Sequence, residues 1–312
     1  MTSPAASPST PDASPDNWVS AMPTPMQPYL RLARADRPIG TWLLFIPCLW
    51  GLAFAGANGF AHPKLLWFAV LMGLGALVMR GAGCAYNDIV DKDFDGKVER
   101  TALRPIPSGQ ITVRQAWAFL IGLCVVGLIV LLQFNRFTIL VGVSSLALVA
   151  AYPFMKRITY WPQAWLGLTF NWGALVGYAA GAGDLAAPAL AIYSAGVFWT
   201  LGYDTIYAHQ DKEDDALIGV KSTALKFGAA TKRWLAAFYV LTLAGFASAG
   251  WLIGAGAIYY LALAPAGVHF IWQIQTLDAD DAHNCLKRFK SNRDAGLLLL
   301  LAPICELALR SF

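Results

Sequence analysis

The chain has 312 residues, of which 57% are hydrophobic and only 13% are charged, and its mean hydropathy is +0.51. Soluble domains carry about 25% charged residues, so this composition excludes an ordinary soluble domain. The net charge is only +4 and no basic face is interleaved with aromatic residues, which argues against a nucleic-acid partner. Long apolar stretches instead indicate an all-α polytopic membrane protein.

The N-terminal segment, residues 1–28, differs in composition from the rest of the chain. It holds seven of the 17 prolines and contains no Lys or Arg. A segment rich in Pro and Ser cannot bury a core, and we predict that it is disordered. It also lacks the features of a signal peptide and of a mitochondrial transit peptide, which favours a bacterial inner membrane. The transmembrane domain is predicted to occupy residues 29–312.

Nine stretches are long and apolar enough to cross a bilayer, which requires about 20 residues per helix. They are residues 39–57, 65–86, 114–132, 137–155, 162–181, 187–207, 233–253, 255–275 and 294–311. With a cytoplasmic N-terminus, nineteen of the 23 Lys and Arg residues lie on the cytoplasmic side and three on the other. The positive-inside rule therefore supports this orientation. In the fifth stretch, Gly173, Gly177 and Gly181 recur every four residues and predict close approach of another helix.

Two acidic clusters stand at the cytoplasmic ends of the second and sixth stretches. The first contains Asn87, Asp91 and Asp95, and the second repeats the same spacing with Tyr207, Asp211 and Asp215. A spacing of four residues places each set on one face of a helix, where neighbouring carboxylates repel unless a cation lies between them. Because Mg²⁺ binds carboxylates together with substrate phosphate oxygens, we predict that the clusters hold Mg²⁺ and a diphosphate between them. Their matched positions also predict a bundle of two four-helix repeats plus one helix.

Basic residues near the clusters are candidates for binding the phosphate groups. Arg contacts phosphate with two nitrogens, and Lys supplies a point charge. The candidates are Arg100, Arg104, Lys156, Arg157 and Lys221, with Arg37 as a weaker candidate for a substrate carboxylate. The alternative for each is a purely topological role, because cytoplasmic loops carry Lys and Arg in any case.

At these residues the sequence resembles the UbiA superfamily of membrane aromatic prenyltransferases. The first cluster is similar to the family signature N-D-x-x-D-x-x-x-D, and the second is similar to its D-x-x-x-D element, with Asp204 and Tyr207 in the flanking pattern. Further segments resemble the branch that acts on 4-hydroxybenzoate in ubiquinone biosynthesis. These segments begin at Arg37, Arg80, Arg104, Tyr152 and Gly219.

The resemblance implies a nine-helix bundle whose central cavity opens to the cytoplasm and to membrane lipid, with polyprenyl diphosphate and 4-hydroxybenzoate as substrates. The expected Mg²⁺-binding residues are Asn87, Asp91, Asp95, Asp211 and Asp215, with Asp88 supporting. The residues expected to bind substrate or assist catalysis are Arg37, Arg100, Arg104, Tyr152, Lys156, Arg157, Asp204, Tyr207 and Lys221. The implied reaction begins with ionisation of the allylic diphosphate and requires no nucleophile on the protein.

Other classes of membrane protein fit the sequence less well. The CDP-alcohol phosphotransferase signature matches from Asp95 to Gly109, but Val113 and Trp117 stand where its two closing acids are required. That metal site therefore cannot form. A cation transporter would bind ions near the middle of the bilayer, whereas these acids are predicted at helix ends, so transport is the weaker alternative. A UbiA-superfamily enzyme that prenylates a different acceptor stays an alternative.

Overall fold

The computed structural model of the chain describes residues 17–60, 63–96 and 99–310, without the side chains of residues 94, 99, 100, 214 and 218. These residues form sixteen α-helices and no β-strand, which confirms the all-α prediction for the described part. The helices are α1 Gln27–Leu32, α2 Ile39–Ala57, α3 Leu65–Asp95, α4 Glu99–Ala102, α5 Val113–Leu131, α6 Arg136–Ile158, α7 Pro162–Phe170, α8 Trp172–Ala182, α9 Ala187–Ala208, α10 Lys212–Ile218, α11 Thr223–Phe227, α12 Thr231–Leu252, α13 Ala257–Ala262, α14 Ala264–Thr276, α15 Ala282–Lys290 and α16 Asn292–Arg310.

Six helical segments of the described chain are long and apolar enough to cross a bilayer. They are Ile39–Ala57, Leu65–Asp93, Val113–Leu131, Arg136–Ile158, Thr223–Leu252 and Ala257–Thr276. The predicted count of nine is therefore not confirmed. The predicted span at 162–181 is interrupted at Asn171, between α7 and α8. Helices α9 and α16 are not among the six; α9 ends in the second acidic cluster, and α16 carries four charged residues.

The chain folds into two compact units. The first unit comprises the residues up to Thr41 together with Leu74–Val130, and the second comprises Trp42–Gly73 together with Leu131–Phe312. The first acidic cluster belongs to the first unit, and the second acidic cluster belongs to the second.

The core of the first unit joins the N-terminal helix to the helices around the first cluster. Its buried residues are Leu32, Ala85, Ile89, Ile106, Ile111 and Ala116, which come from α1, α3, α5 and the loop between α4 and α5. The rings of Tyr29 and Phe119 extend this core, with 5.4 Å between their centroids. Burial of these side chains fixes α1 and the loop against α3, next to the acidic residues.

The N-terminal segment differs from the prediction of disorder over residues 1–28. Residues 1–16 lie outside the described part. From Asn17 onward the chain is folded: the Asn17 side chain accepts a hydrogen bond from Val19 N and begins a 3₁₀-helix, Trp18–Ala21. The Trp18 indole donates to the carbonyl of Ala35 at 3.0 Å, and Val19 is buried. These long-range contacts order a segment for which the composition alone predicted disorder.

The core of the second unit is aromatic. The Trp50 ring lies 5.0 Å from both Trp199 and Phe246, measured between ring centroids. Both indole nitrogens donate to α16: Trp50 Nε1 to the carbonyl of Gly296 at 2.9 Å, and Trp199 Nε1 to Asn292 Oδ1 at 3.0 Å. Because buried indoles need such partners, these bonds tie α2 and α9 to α16, and the ring of Phe246 packs α12 against Trp50.

The glycines of α8 pack directly against α2, as their spacing predicted. A Cβ atom on Gly177 would lie 2.2 Å from the carbonyl oxygen of Cys48, and one on Gly173 would lie 2.6 Å from Cys48 Sγ. A Cβ on Gly181 would lie 2.7 Å from the side chain of Ala55. Only residues without a side chain permit this separation of the two helix backbones.

Arg310, at the end of α16, binds the C-terminal ends of two other helices of this unit. Arg310 donates to the carbonyls of Ala57, Ile253 and Gly254 at 2.7, 2.7 and 3.1 Å, and its Nε donates to Glu306 at 2.7 Å. The last carbonyls of a helix have no partner within the helix itself. The guanidinium of Arg310 supplies one for α2 and for the turn that ends α12.

Candidate functional site

The first acidic cluster lies on the last turns of α3, which continue without a break to Asp95. Asp88, Asp91 and Asp95 are buried, with exposed fractions of 0%, 0% and 6%. Spacings of three and four residues place them on one helical face. The buried stripe thus includes Asp88, whereas Asn87, which the sequence placed on the stripe, is half-buried.

Two arginines neutralise this buried stripe. Arg34 Nη2 donates to both carboxylate oxygens of Asp88, at 2.7 and 3.0 Å. Arg104 Nη1 bridges two acids, with 3.2 Å to Asp88 Oδ1 and 2.7 Å to Asp95 Oδ2. Burial raises the pKa of Asp95, while Arg104 lowers it and the charge of Asp88 raises it further. Arg104, which the sequence predicted as a site residue, lies beside the first cluster.

Arg34 is a site residue that the sequence did not reveal. It has a φ of +58° and is the one described residue other than glycine with a positive φ. A conformation of this kind costs about 1–3 kcal/mol and persists where the surroundings impose it. Here the Nη1 atom of Arg34 also donates to the carbonyl of Arg31, at the end of α1. Only the docking of α1 reveals this role, and the sequence predicted no helix before residue 39.

The loop between α4 and α5 holds Arg104 in place. Thr101 Oγ1 donates to the carbonyl of Asp95 at 2.7 Å, and Ser108 Oγ donates to the carbonyl of Arg104 at 2.7 Å. Gly109 closes the loop with a φ of +74°, a value that favours glycine. The side chain of Arg100, another predicted phosphate ligand, lies outside the described part.

Two further arginines of the first unit lie near the start of α2. Arg37, a predicted ligand for a substrate carboxylate, donates to its neighbour Asp36 from Nε at 3.3 Å and from Nη2 at 3.1 Å. Arg80 lies within the apolar span of α3, and a Cβ on Gly40 would fall 2.3 Å from its Nε atom. Arg80 and Asp88 are eight residues apart, so they share a helix face and are separated by roughly 12 Å along the axis.

The second acidic cluster is built differently. Helix α9 ends at Ala208, a 3₁₀-helix follows at His209–Asp211, and α10 begins at Lys212. Asp211 has a φ of −114° and a ψ of 8°, which is not α-helical. The prediction that Tyr207, Asp211 and Asp215 line one continuous helix is therefore wrong. The side chains of Asp204, Asp211 and Asp215 are half-buried.

Side-chain contacts account for this break in the helix. His209 is buried and its Nε2 atom lies 3.0 Å from Thr231 Oγ1, which fixes the 3₁₀ turn against α12. Burial lowers the pKa of His209, and the neighbouring Lys212 lowers it further. Lys212 forms an ion pair with Asp280, in the loop before α15. The Tyr207 ring packs on Phe289 of α15, with 4.5 Å between centroids.

Two predicted basic residues of the second unit come together beside this segment. The backbone N–H of Lys221 donates to the carbonyl of Lys156 at 2.9 Å, and the N–H of the preceding residue, Val220, donates to the carbonyl of Asp215 at 2.9 Å. The fold brings the backbones of both residues next to the end of α10, whereas the Lys221 ammonium donates to the carbonyl of Ile158 at 3.2 Å. Arg157 is exposed over the ring of Phe154. Tyr152 is half-buried, one helical turn before Lys156.

The chemistry of each cluster fits a hard cation that is shared with a phosphate. Among the described residues, no group of three His, Cys, Asp or Glu side chains lies close enough to hold a metal alone. Mg²⁺ usually takes one or two carboxylates and completes its shell with water and phosphate oxygens. Asp91 and Asp95 could supply such oxygens in the first unit, and Asp211 and Asp215 could supply them in the second.

Comparisons with known proteins place this chain in a family. The model of the UbiA prenyltransferase family matches residues 44–299. The mitochondrial 4-hydroxybenzoate polyprenyltransferase of Rattus norvegicus is 52% identical over 288 residues, which are 92% of this chain and 76% of the relative. The corresponding protein of Caenorhabditis elegans is 49% identical over 94% of this chain and 82% of its own length.

A solved structure shows the same fold. The apo structure of a UbiA homologue from Aeropyrum pernix K1 has a TM-score of 0.66 and 26% identity, and the match covers 87% of this chain and 98% of that one. The family model, the close relatives and the apolar helices together identify a multi-pass membrane protein. The chain belongs to the UbiA prenyltransferase family.

Proposed function

We propose that this protein transfers a polyprenyl group from polyprenyl diphosphate to 4-hydroxybenzoate. The new bond forms at the ring carbon ortho to the hydroxyl group, and diphosphate leaves, as a step of ubiquinone biosynthesis. The identity of about half of all residues to enzymes with this name supports the acceptor. The observation that carries the chemistry is the buried acidic stripe of α3 with its two arginines.

The residues of the two clusters have separate tasks in this proposal. Asn87, Asp91 and Asp95 hold one Mg²⁺, and Asp211 and Asp215 hold another, with Asp204 nearby. When bound, Mg²⁺ would neutralise the charge that develops on the leaving diphosphate. A homologue from Archaeoglobus fulgidus has been solved with GPP and Mg²⁺; it is 20% identical to this chain with a TM-score of 0.64, so it supports the fold.

Basic side chains stabilise the same developing charge. Arg104 lies beside the first cluster, and Lys156 lies beside the end of α10 in the second unit; Lys221 would have to turn its ammonium from the carbonyl of Ile158 to join them. Fixed cations in a site that excludes water lower the barrier to ionisation, because they need not reorganise as the charge develops. The allylic cation then attacks the acceptor ring, and the ring loses a proton. Apolar helices protect the cation from water.

Arg37 stays a candidate for the carboxylate of the acceptor, and Arg80 is a second candidate. Arg37 is engaged by Asp36. Arg80 is an arginine inside an apolar span, where ionisable side chains are functional by default. The separation of roughly 12 Å along α3 between Arg80 and Asp88 would suit an acceptor whose carboxylate reaches the guanidinium while the diphosphate of the donor lies at the acidic stripe.

The orientation and the membrane are also proposals. The excess of Lys and Arg on one side supports a cytoplasmic N-terminus and cytoplasmic acidic clusters. The bacterial inner membrane stays a prediction, and the named relatives are mitochondrial. The two four-helix repeats stay a prediction, because the helices that carry the two clusters end differently.

The proposal is tested with purified protein in detergent, a short polyprenyl diphosphate, 4-hydroxybenzoate and Mg²⁺, with product detected by mass spectrometry. We expect the prenylated acid, and we expect it to vanish with EDTA and return with added Mg²⁺. Consumption of the donor only with another aromatic acceptor would reassign the acceptor. No consumption of the donor under any condition would exclude the transferase and favour cation transport.

A further inference from the structure

Asp88 belongs to the acidic signature of the first cluster, yet both of its carboxylate oxygens are engaged by guanidinium groups. Oδ1 accepts from Arg34 and from Arg104, and Oδ2 accepts from Arg34. The side chain is fully buried. A divalent cation bound to Asp88 would lie a few ångströms from two positive charges, and charges of like sign repel strongly at that separation in a buried site.

Arg104 is tethered through only one of its nitrogens. Its contacts with Asp88 and Asp95 both use Nη1. Within the described part of the chain, neither Nε nor Nη2 of Arg104 donates a hydrogen bond to the protein. These two atoms form the edge of the guanidinium group that binds phosphate with two parallel hydrogen bonds. The side chain is 15% exposed, so it is held in place without being sealed off.

Arg34 is fixed from the opposite direction. The preceding helix, α1, is buried through Leu32 against Ile89 and Ile106, and Arg31 donates to Gln110 at 3.3 Å. The left-handed backbone at Arg34 then delivers its guanidinium to Asp88. A carboxylate held by an anchored arginine is a rigid support for a second arginine.

We infer that Asp88 is a positioning residue for Arg104, with Arg34 as its counter-cation, and that Asp88 is not a ligand of Mg²⁺. Asp88 orients the guanidinium so that the edge formed by Nε and Nη2 binds the diphosphate of the donor. Asp91 and Asp95 are then the carboxylates of this cluster that contact the metal; among the described residues Arg104 engages Oδ2 of Asp95 and no arginine engages its Oδ1, whereas both oxygens of Asp88 are engaged. The inference rests on the proposed function, because it requires a diphosphate and a metal at the first cluster.

Two binding measurements separate a positioning role from a metal-ligand role. The number of bound Mn²⁺ ions is determined by electron paramagnetic resonance at saturating inorganic diphosphate, and the dissociation constant of diphosphate is measured at saturating Mn²⁺. Asp88→Asn is compared with Asp91→Asn. We expect Asp88→Asn to keep the wild-type number of Mn²⁺ ions and to weaken diphosphate binding roughly 10-fold, as the loss of an oriented charged hydrogen bond predicts. We expect Asp91→Asn to lose one Mn²⁺ ion.

A double-mutant cycle tests whether Asp88 acts through Arg104. Arg104→Gln should weaken diphosphate binding, and adding Asp88→Asn to it should cause little further loss, because residues that act as one unit are not additive. If Asp88→Asn does not fold, Asp88→Glu carries the same comparison, with a smaller loss of diphosphate affinity and an unchanged Mn²⁺ count.

Three results would overturn the inference. They are the loss of a Mn²⁺ ion in Asp88→Asn or Asp88→Glu, unchanged diphosphate affinity in the Asp88 variant, and additive effects of the Asp88 and Arg104 substitutions. Failure of the wild-type protein to bind Mn²⁺ and diphosphate together would instead reject the proposed function, and the inference with it. The wild-type measurement therefore distinguishes the two failures.

Discussion

The two acidic clusters share a spacing in the sequence but not a structure. In the first unit, the acids extend a single helix, are buried, and are clamped by Arg34 and Arg104. In the second unit, the acids straddle a break between α9 and α10 and remain half-buried. The first cluster is thus fixed before any ligand binds. Asp211 and Asp215 of the second cluster lie on a 3₁₀ turn and on the seven-residue helix α10, which we expect to rearrange more easily.

The two units also differ in what holds them together. The first unit places ion pairs among its buried side chains, and such pairs specify geometry more than they add stability. The second unit relies on aromatic packing and on glycines that allow close contact between helices. Function should therefore be most sensitive to charge in the first unit, and folding most sensitive to side-chain volume in the second.

The largest expected effect comes from removing one acid of either cluster. Asp91→Asn and Asp211→Asn should each lower turnover by roughly 10³-fold, because the developing charge loses its metal and cannot be stabilised otherwise. Product formation by mass spectrometry is the measurement. Asp93→Asn is the matched control on α3, since Asp93 is exposed and pairs with Lys92, and it should retain near-normal turnover. Normal activity in Asp91→Asn or Asp211→Asn would contradict the metal role.

The next effect distinguishes the basic residues of the two units. Arg104→Gln should lower kcat/KM by roughly 10²-fold, because it removes a phosphate ligand and also unpairs two buried carboxylates. Lys156→Gln should cost only about tenfold, since Lys156 is half-buried and acts as a point charge. Steady-state kinetics with a short donor measure both values. Equal losses in the two variants would contradict the view that the first cluster is held rigidly and the second cluster rearranges.

A smaller effect concerns packing in the second unit. Gly177→Ala should lower the free energy of unfolding by about 2 kcal/mol, because the new methyl group would collide with the backbone of α2. Gly122→Ala in α5 is the control: nothing lies within 4 Å of its added Cβ, and Ala is the better helix former. Thermal unfolding in detergent should show a loss for the first variant and none for the second.

The smallest effect concerns two glycines with positive φ, one beyond each cluster. Gly109 and Gly219 have φ values of +74° and +72°, and no atom lies within 4 Å of an added Cβ at either position. Alanine at either site should cost about 1 kcal/mol of local conformational energy. We expect Gly219→Ala to raise the KM of the donor and Gly109→Ala to leave it unchanged, because buried Ile106 and Ile111 anchor the loop around Gly109. The reverse result would reject the view of the second cluster as the adaptable one.

The sequence predicted the membrane class, most helix positions and both acidic clusters, because apolar runs and carboxylate spacing are local signals. It did not predict the break after Ala208, which depends on the contact between His209 and Thr231. The role of Arg34 was also hidden, because it depends on the packing of α1 against α3. Residues that act through long-range contacts leave no pattern in a single sequence.

The contacts of α16 have a consequence for how the chain is made. The carbonyl of Ala57 finds its partner in Arg310, and the indole of Trp50 finds its partner in Gly296. The ribosome must therefore synthesise nearly the whole chain before α2 can form these two hydrogen bonds, one at its C-terminal end and one in its buried middle. Until then, that helix waits in the translocon or in lipid, where helices insert before they pack. A truncated product that stops before residue 296 would leave the Ala57 carbonyl and the Trp50 indole without these partners, and we expect cellular quality control to recognise it.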